Sequence, residues 1–241
     1  TWNWRAAAEN YDDAYRLNPD DIHLLRLYAH FASYTGQAAL ARSLAEHAIA
    51  VSPETPSLHF RLGTVALNER NLGAAIGAFE RAITLDPKFA NAHLYLGIAL
   101  AAASRPVEAI SELEVAKTLL SLSPMPYQLS LLAYGYHRAD APEAAATVLR
   151  RYADLSGSSP DGAGGRIFAS LADGDMASAR NSLRAAIDLV RRHHPDVSFN
   201  TLMLVKTNAF LDPAIGQDPM LAQLRAELDG MLLDARRADA L

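Results

Sequence analysis

The sequence predicts an all-α solenoid, in which helix-turn-helix units stack in chain order and a C-terminal helix caps the stack. Three observations predict it. Prolines recur 34 residues apart at Pro19, Pro53 and Pro87, in the contexts RLNP, AVSP and TLDP. Alanine fills two columns at the same interval: Ala7, Ala41, Ala75 and Ala109 in one, Ala14, Ala48, Ala82 and Ala116 in the other. Half of the 241 residues are hydrophobic but only 7% are aromatic, and alanine supplies much of the difference. Alanine favours helices and lets them pack closely.

The columns have a physical reading. Neither helix of a unit can bury its apolar face alone, and stacking the units buries a continuous core. A small side chain at a helix crossing lets two backbones approach. Between the alanine columns lie Tyr11, Ala45, Phe79 and Leu113, which fill the space toward the next unit. Earlier in each unit Tyr28-Ala29, Leu62-Gly63 and Leu96-Gly97 align. Proline ends the second helix because it lacks an N–H and clashes inside a helix. The Asn or Asp before it at positions 18 and 86 favours a turn.

Taken in order, residues 1–19 give only the second helix of a partial unit. Residues 20–123 hold three well-matched units, 22–55, 56–89 and 90–123. Gly36 stands at the turn of the first, with Arg70 and Ser104 in its place later. Residues 124–192 are expected to form two degenerate units. Ala144 is placed in the first alanine column of one, while Gly174, Ala179, Leu183 and Ala186 mark the other. Two steps of 35 from Ala109 through Ala144 to Ala179 imply a slip of one residue. SGSSPDGAGG (156–165) is expected to be a flexible loop. Pro195 is expected to end the last long helix, and 193–241 to cap the stack.

This pattern resembles the tetratricopeptide repeat, a helix-turn-helix unit of 34 residues. The resemblance is strongest from Ile22 to Leu120, and residues 56–89 fit best, through Leu62, Gly63, Ala75, Phe79, Ala82 and Pro87. It implies a right-handed solenoid with a concave binding face. The opening WNWRAAAENYDDAYRLNPDD and the closing LVKTNAFLDPAIGQDPMLAQL (204–224), with Asp212-Pro213 and Asp218-Pro219, are similar to the ends of a bacterial tetratricopeptide array. Such arrays follow class III adenylate cyclase, protein kinase or winged-helix domains in signalling proteins. Met220 departs from the Arg-Phe pair usual there. The start at Thr1-Trp2, in mid-repeat, suggests a piece of a longer protein.

Several function classes are disfavoured. A formal charge of −5 argues against direct nucleic-acid binding, which needs a basic patch. The pairs Arg150-Arg151, Arg191-Arg192 and Arg236-Arg237 suit helix ends. There is no cysteine, hence no disulfide or thiolate metal site. No apolar run approaches the roughly 20 residues of a membrane span, and no signal peptide is expected within this sequence. The expected location is cytoplasmic, or periplasmic if the full-length protein is membrane-anchored. His193-His194 lacks the second ligand pair of a zinc site. DGAGG (161–165) lacks the Gly-Lys-Ser/Thr ending of a phosphate cradle. No catalytic residue, metal or cofactor is expected, and the chain is expected not to be an enzyme.

The expected function is binding of a protein or peptide in the concave groove, lined by the first helix of each unit. The candidates are His23, Arg26, His30 and Ser33 in the first unit. Phe60, Arg61, Thr64 and Asn68 follow in the second, and Asn91, Leu94, Tyr95 and Ile98 in the third. The arginines suit an acidic or C-terminal peptide, since a guanidinium can grip a carboxylate through two hydrogen bonds. A stripe of Met220, Leu221, Leu224, Leu228, Met231 and Leu232 in 220–238 has helical spacing. It is expected to cap the last unit, or to form a homodimer face. A free-standing scaffold or assembly factor is the alternative reading.

Overall fold

The computed structural model describes residues 4–156 and 163–191, and every regular element among them is a helix. In order they are α1 (Trp4–Leu17), α2 (Ile22–Tyr34), α3 (Ala38–Val51), α4 (Pro56–Asn68), α5 (Leu72–Leu85), α6 (Ala90–Ala102), α7 (Pro106–Leu119), α8 (Pro126–Arg138), α9 (Pro142–Ser156), α10 (Ala163–Ala172) and α11 (Met176–Arg191). The stop at Pro195 and the capping segment lie outside the described residues. Among the described residues no helix is long and apolar enough to cross a membrane.

Local chemistry sets the boundaries. The Asp21 carboxylate accepts from the N–H groups of His23 and Leu24 at 2.8 and 3.0 Å, capping α2. Asn71 does the same for α5 through the Ala74 N–H at 3.1 Å. Pro56, Pro106 and Pro126 open α4, α7 and α8, where their fixed φ suits the first turn and no N–H is needed. The second helices α1, α3 and α5 end two residues before Pro19, Pro53 and Pro87.

Each turn between paired helices has one residue in the left-handed region. Gly36 and Gly174 fill it at φ 76° and 74°, while Arg70, Ser104 and Asp140 hold it at about 60°. The next residue then bonds back into the preceding helix, as Asn71 N–H does to Ala66 O and Arg105 N–H to Leu100 O, both at 2.9 Å. This satisfies carbonyls that the helix end would leave open.

The alanine columns are helix crossings. Ala41, Ala75, Ala109, Ala48, Ala82 and Ala116 are buried. The residue in the next unit's first column is Ala145, 1% exposed, and not Ala144, which is half-buried. The backbone agrees: Ala41, Ala75, Ala109, Ala145 and Ala179 all donate to the residue just before their helix. The slip is therefore one step of 36 from Ala109 to Ala145, followed by a return to 34 at Ala179. Its cause is the α7–α8 connection, residues 120–125, which is two residues longer than the connections 52–55 and 86–89.

Within each unit the crossing is filled by complementary sizes. A Cβ on Gly63 would lie 2.4 Å from a Phe79 ring carbon, and one on Gly97 would lie 2.7 Å from Leu113 Cγ. The first unit places Ala29 against the smaller Ala45 column, and both are buried. Thus Gly63 and Gly97 are sized to the large side chains opposite them.

The layers differ in their spacing. Successive first helices α2, α4, α6, α8 and α10 touch one another, while successive second helices α3, α5, α7 and α9 make little contact. The closer layer is the inner side of the curve.

Two outcomes follow. Gly63→Ala should destabilise the protein by about 1–2 kcal/mol despite alanine's better helix propensity. In a Phe79→Ala background the same change should be neutral or stabilising. Equal costs in both backgrounds, from urea unfolding, would show that Phe79 is not the obstacle. Ser104→Gly, at an exposed turn, should stabilise by about 0.5–1 kcal/mol, the left-handed strain relieved less the added backbone entropy. A thermal midpoint at or below wild type would contradict it.

Candidate functional site

The inner-layer helices share an unusual composition. None of α2, α4, α6, α8 and α10 contains an aspartate or glutamate, although the chain has 27. Together they carry four arginines and five histidines. Each second helix, α1, α3, α5, α7, α9 and α11, carries at least one carboxylate. Charge is thus segregated by layer in a chain that is acidic overall.

The cationic centre lies between α2 and α4. His23 is exposed at the start of α2. Arg26 and His30 follow one turn apart and are half-buried. Arg61, from α4, is 9% exposed, and its Nη1 donates to Thr64 Oγ1 at 3.4 Å. The Thr64 hydroxyl donates to Arg61 O at 2.8 Å and is buried. Burial, and then the guanidiniums of Arg61 and Arg26, hold the His30 pKa at about 2. His30 is therefore a neutral ring among cations. Beside it the Asn68 amide donates to Ser33 Oγ, joining α4 to α2.

An aromatic section follows. Phe60 on α4 meets Phe89 at 5.1 Å and Tyr95 edge-on at 5.3 Å, measured between ring centroids, and Phe79 lies beneath at 5.7 Å. Phe60 and Tyr95 are half-buried, so part of each ring faces solvent. Beyond them Asn91 Oδ1 accepts from Gln128 Nε2 at 2.9 Å. The Tyr127 hydroxyl also bonds Asn91, and burial raises its pKa.

Thr64 and Arg61 are buried and do not project into a groove, and neither do Leu94 and Ile98. The latter two are 0% and 1% exposed and belong to the core. From α6 onward the inner helices pack tightly enough to close over these positions, and α10 lies firmly on α8 with Phe168 edge-on to Tyr134. The accessible inner face is therefore concentrated on α2 and α4, with Asn91 and Tyr95 at its border. Sequence reasoning missed Tyr127 and Gln128, because the longer α7–α8 connection hid their register.

Among the described residues no group of three His, Asp or Glu side chains is arranged to hold a metal ion. His193, His194 and 220–238 lie outside them. His93 is occupied structurally: Nε2 donates to Pro87 O at 3.1 Å while Nδ1 lies 2.6 Å from Glu112 Oε2. His59 repeats the first of these contacts with Pro53 O at 2.7 Å.

Residues 32–88 and 60–124 match the family model described as tetratricopeptide repeat. The fold is similar to solved structures. A tetratricopeptide repeat protein from Parabacteroides merdae aligns with a TM-score of 0.61 at 15% identity, over 83% of this chain and 77% of that one. A thermophilic TPR protein of Thermus thermophilus aligns at 0.59 and 21%, over 70% and 90%. PilW, a type IV pilus biogenesis factor, aligns at 0.56 and 18%, over 80% and 89%. Residues 32–124 thus match the tetratricopeptide-repeat family model, and the described residues have the all-α solenoid fold of these structures.

The site has a pH signature. The unfolded chain protonates His30 as pH falls through its ordinary value of 6.5, whereas the folded chain resists down to about 2. Stability from keeping this ring neutral is present above pH 6.5 and is lost as pH falls below it. His30→Gln should flatten the dependence of the thermal midpoint between pH 7 and 5, above most carboxylate titrations. An unaltered slope would remove His30 as its source.

Proposed function

We propose that this domain is a non-catalytic scaffold that holds an acidic protein segment against its inner layer, between α2 and α4. The observation that carries the reading is the absence of any carboxylate from all five inner helices of an acidic chain. A partner's carboxylate approaching the half-buried Arg26 meets no competing acid on the inner helices, and the buried Arg61 adds positive potential behind it. His30, kept neutral by burial and by the two guanidiniums, adds no charge of its own there. Phe60 and Tyr95 offer apolar area to a side chain next to the acid, with aromatic surface that orders at small entropic cost.

In its finer form the domain is the regulatory array of a bacterial signalling protein, biasing an attached effector when the partner binds. The WNWRAAAENYDDAYRLNPDD opening and the paired Asp-Pro turns at 212–213 and 218–219 support this. A free-standing scaffold would use the same inner face. Pairing of two arrays through the stripe in 220–238 is the second reading, favoured by its apolar spacing.

The test is calorimetric titration with a panel of short acidic peptides, free and amidated at their C-termini. At least one should bind, and Arg26→Glu should weaken it tenfold or more, because a like charge replaces the attraction. Arg26 is half-buried on the surface, so circular dichroism should be unchanged. A panel that does not bind, or binding indifferent to Arg26→Glu, would reject the acidic-segment reading.

A further inference from the structure

The outer layer holds a groove of its own. Outer helices hardly touch, and between α5 and α7 a cavity of about 360 Å³ opens. That is at the small end of ligand pockets, ~300–1,000 Å³, and suits the side chains of a partner. Leu96 and Leu100 of α6, each 3% exposed, close its bottom, and the half-buried Ile83 of α5 gives it an apolar wall. Its rim is acidic on both sides, with Glu80 on α5 and Glu108 and Glu112 on α7.

The neighbouring gaps lack this arrangement. In the gap between α3 and α5, 34 residues earlier, Ala74 and Ala78 take the places of Glu108 and Glu112, which leaves acid on the Glu46 side only. In the gap between α7 and α9, where the register has moved by two, those places fall to Ala144 and Val148. There Glu114 holds the position of Glu80, and it is engaged by Lys117 and by the Tyr136 hydroxyl, which donates to it at 2.7 Å. Helix packing therefore accepts apolar residues at these positions. Of the three gaps from α3 to α9, the one between α5 and α7 alone carries acid on both walls.

Little positive charge offsets these acids. Arg105 grips Glu108 through Nε and Nη2 at 2.7 and 2.6 Å, and these bonds hold the Glu108 carboxyl below the usual carboxylate range. Glu112 Oε2 lies 2.6 Å from Nδ1 of the buried His93. Glu80 acts on the Arg105 guanidinium from a distance, and among the described residues no cationic side chain pairs with it directly. A cleft walled by one sign of charge focuses its field on an incoming ion of the other sign.

The geometry points to a docking groove between α5 and α7 for a basic segment of a partner protein, with an arginine at the acidic rim and an apolar side chain on Ile83. Arginine fits because its planar fork serves carboxylates on two walls and its stem can lie along apolar surface. The groove belongs to the outer layer, whereas Arg26 and Arg61 belong to the inner one. The inference therefore does not rest on the acidic-segment reading.

The test is calorimetric titration of the whole chain with a panel of capped peptides carrying Arg-Leu-Leu-Arg. At least one should bind, its glutamate counterpart should not, and serine in place of both leucines should weaken it about threefold or more. Glu80→Arg should weaken binding about tenfold or more. Glu46→Arg makes the same change of net charge in the preceding gap and should weaken it less than about threefold. Both glutamates are exposed, so circular dichroism should be unchanged. If Glu80→Arg loses structure, Glu80→Gln replaces it and should weaken binding about threefold. Arg26→Glu, on the inner layer, should not weaken it. Failure of the whole arginine panel to bind would overturn the inference. Equal losses for Glu80→Arg and Glu46→Arg would also do so, since net charge alone would then be read, as would equal affinity of the serine peptides.

Discussion

The close approach of two helices within each unit is the constraint on which the rest depends. Two backbones cross where one side contributes a small residue and the other fills the remaining space. Gly63 faces Phe79, Gly97 faces Leu113, and Ala29 lies in the column paired with Ala45. Interiors pack at nearly crystalline density, so a misfit of one methyl group is felt. Matching within the unit leaves its remaining apolar surface free to meet the neighbour. That is why the units stack in chain order and why their stability is shared between neighbours.

Curvature then converts a repeated packing rule into a functional asymmetry. Inner helices touch each other and outer helices hardly do. Charge follows the same division, with every inner helix free of carboxylates and every outer helix holding at least one. Neither helix packing nor capping demands this, because carboxylates are tolerated on exposed helix surface anywhere. The segregation concentrates positive potential on the side where a partner would lie, while the net charge stays negative for solubility.

How much was legible differs from residue to residue. The 34-residue spacing predicted α2 to α7, because the proline stops, the caps and the left-handed turns are local chemistry written near each boundary. The register after α7 was misread by one position, since the two extra residues lie in a connection whose length has no local signature. Among the inner-face candidates, His23 is exposed and Arg26 and His30 are half-buried, whereas Arg61 and Thr64 are buried. Leu94 and Ile98 have the same spacing but are buried, because α6 is covered by α7 and α8 as well as by its neighbours before it. No single-helix argument contains that cover.

The sequence by itself determined the unit: its length, its two helices, its stops and the small residues at its crossing. These depend on contacts between residues close along the chain, where the periodicity is visible. The tertiary structure decided which part of the inner face stays open and that Arg61 and Arg26 surround a neutral His30. Those outcomes depend on how far apart neighbouring units settle. That separation is a sum of side-chain volumes across three or four helices at once, a quantity that no local pattern of residues records.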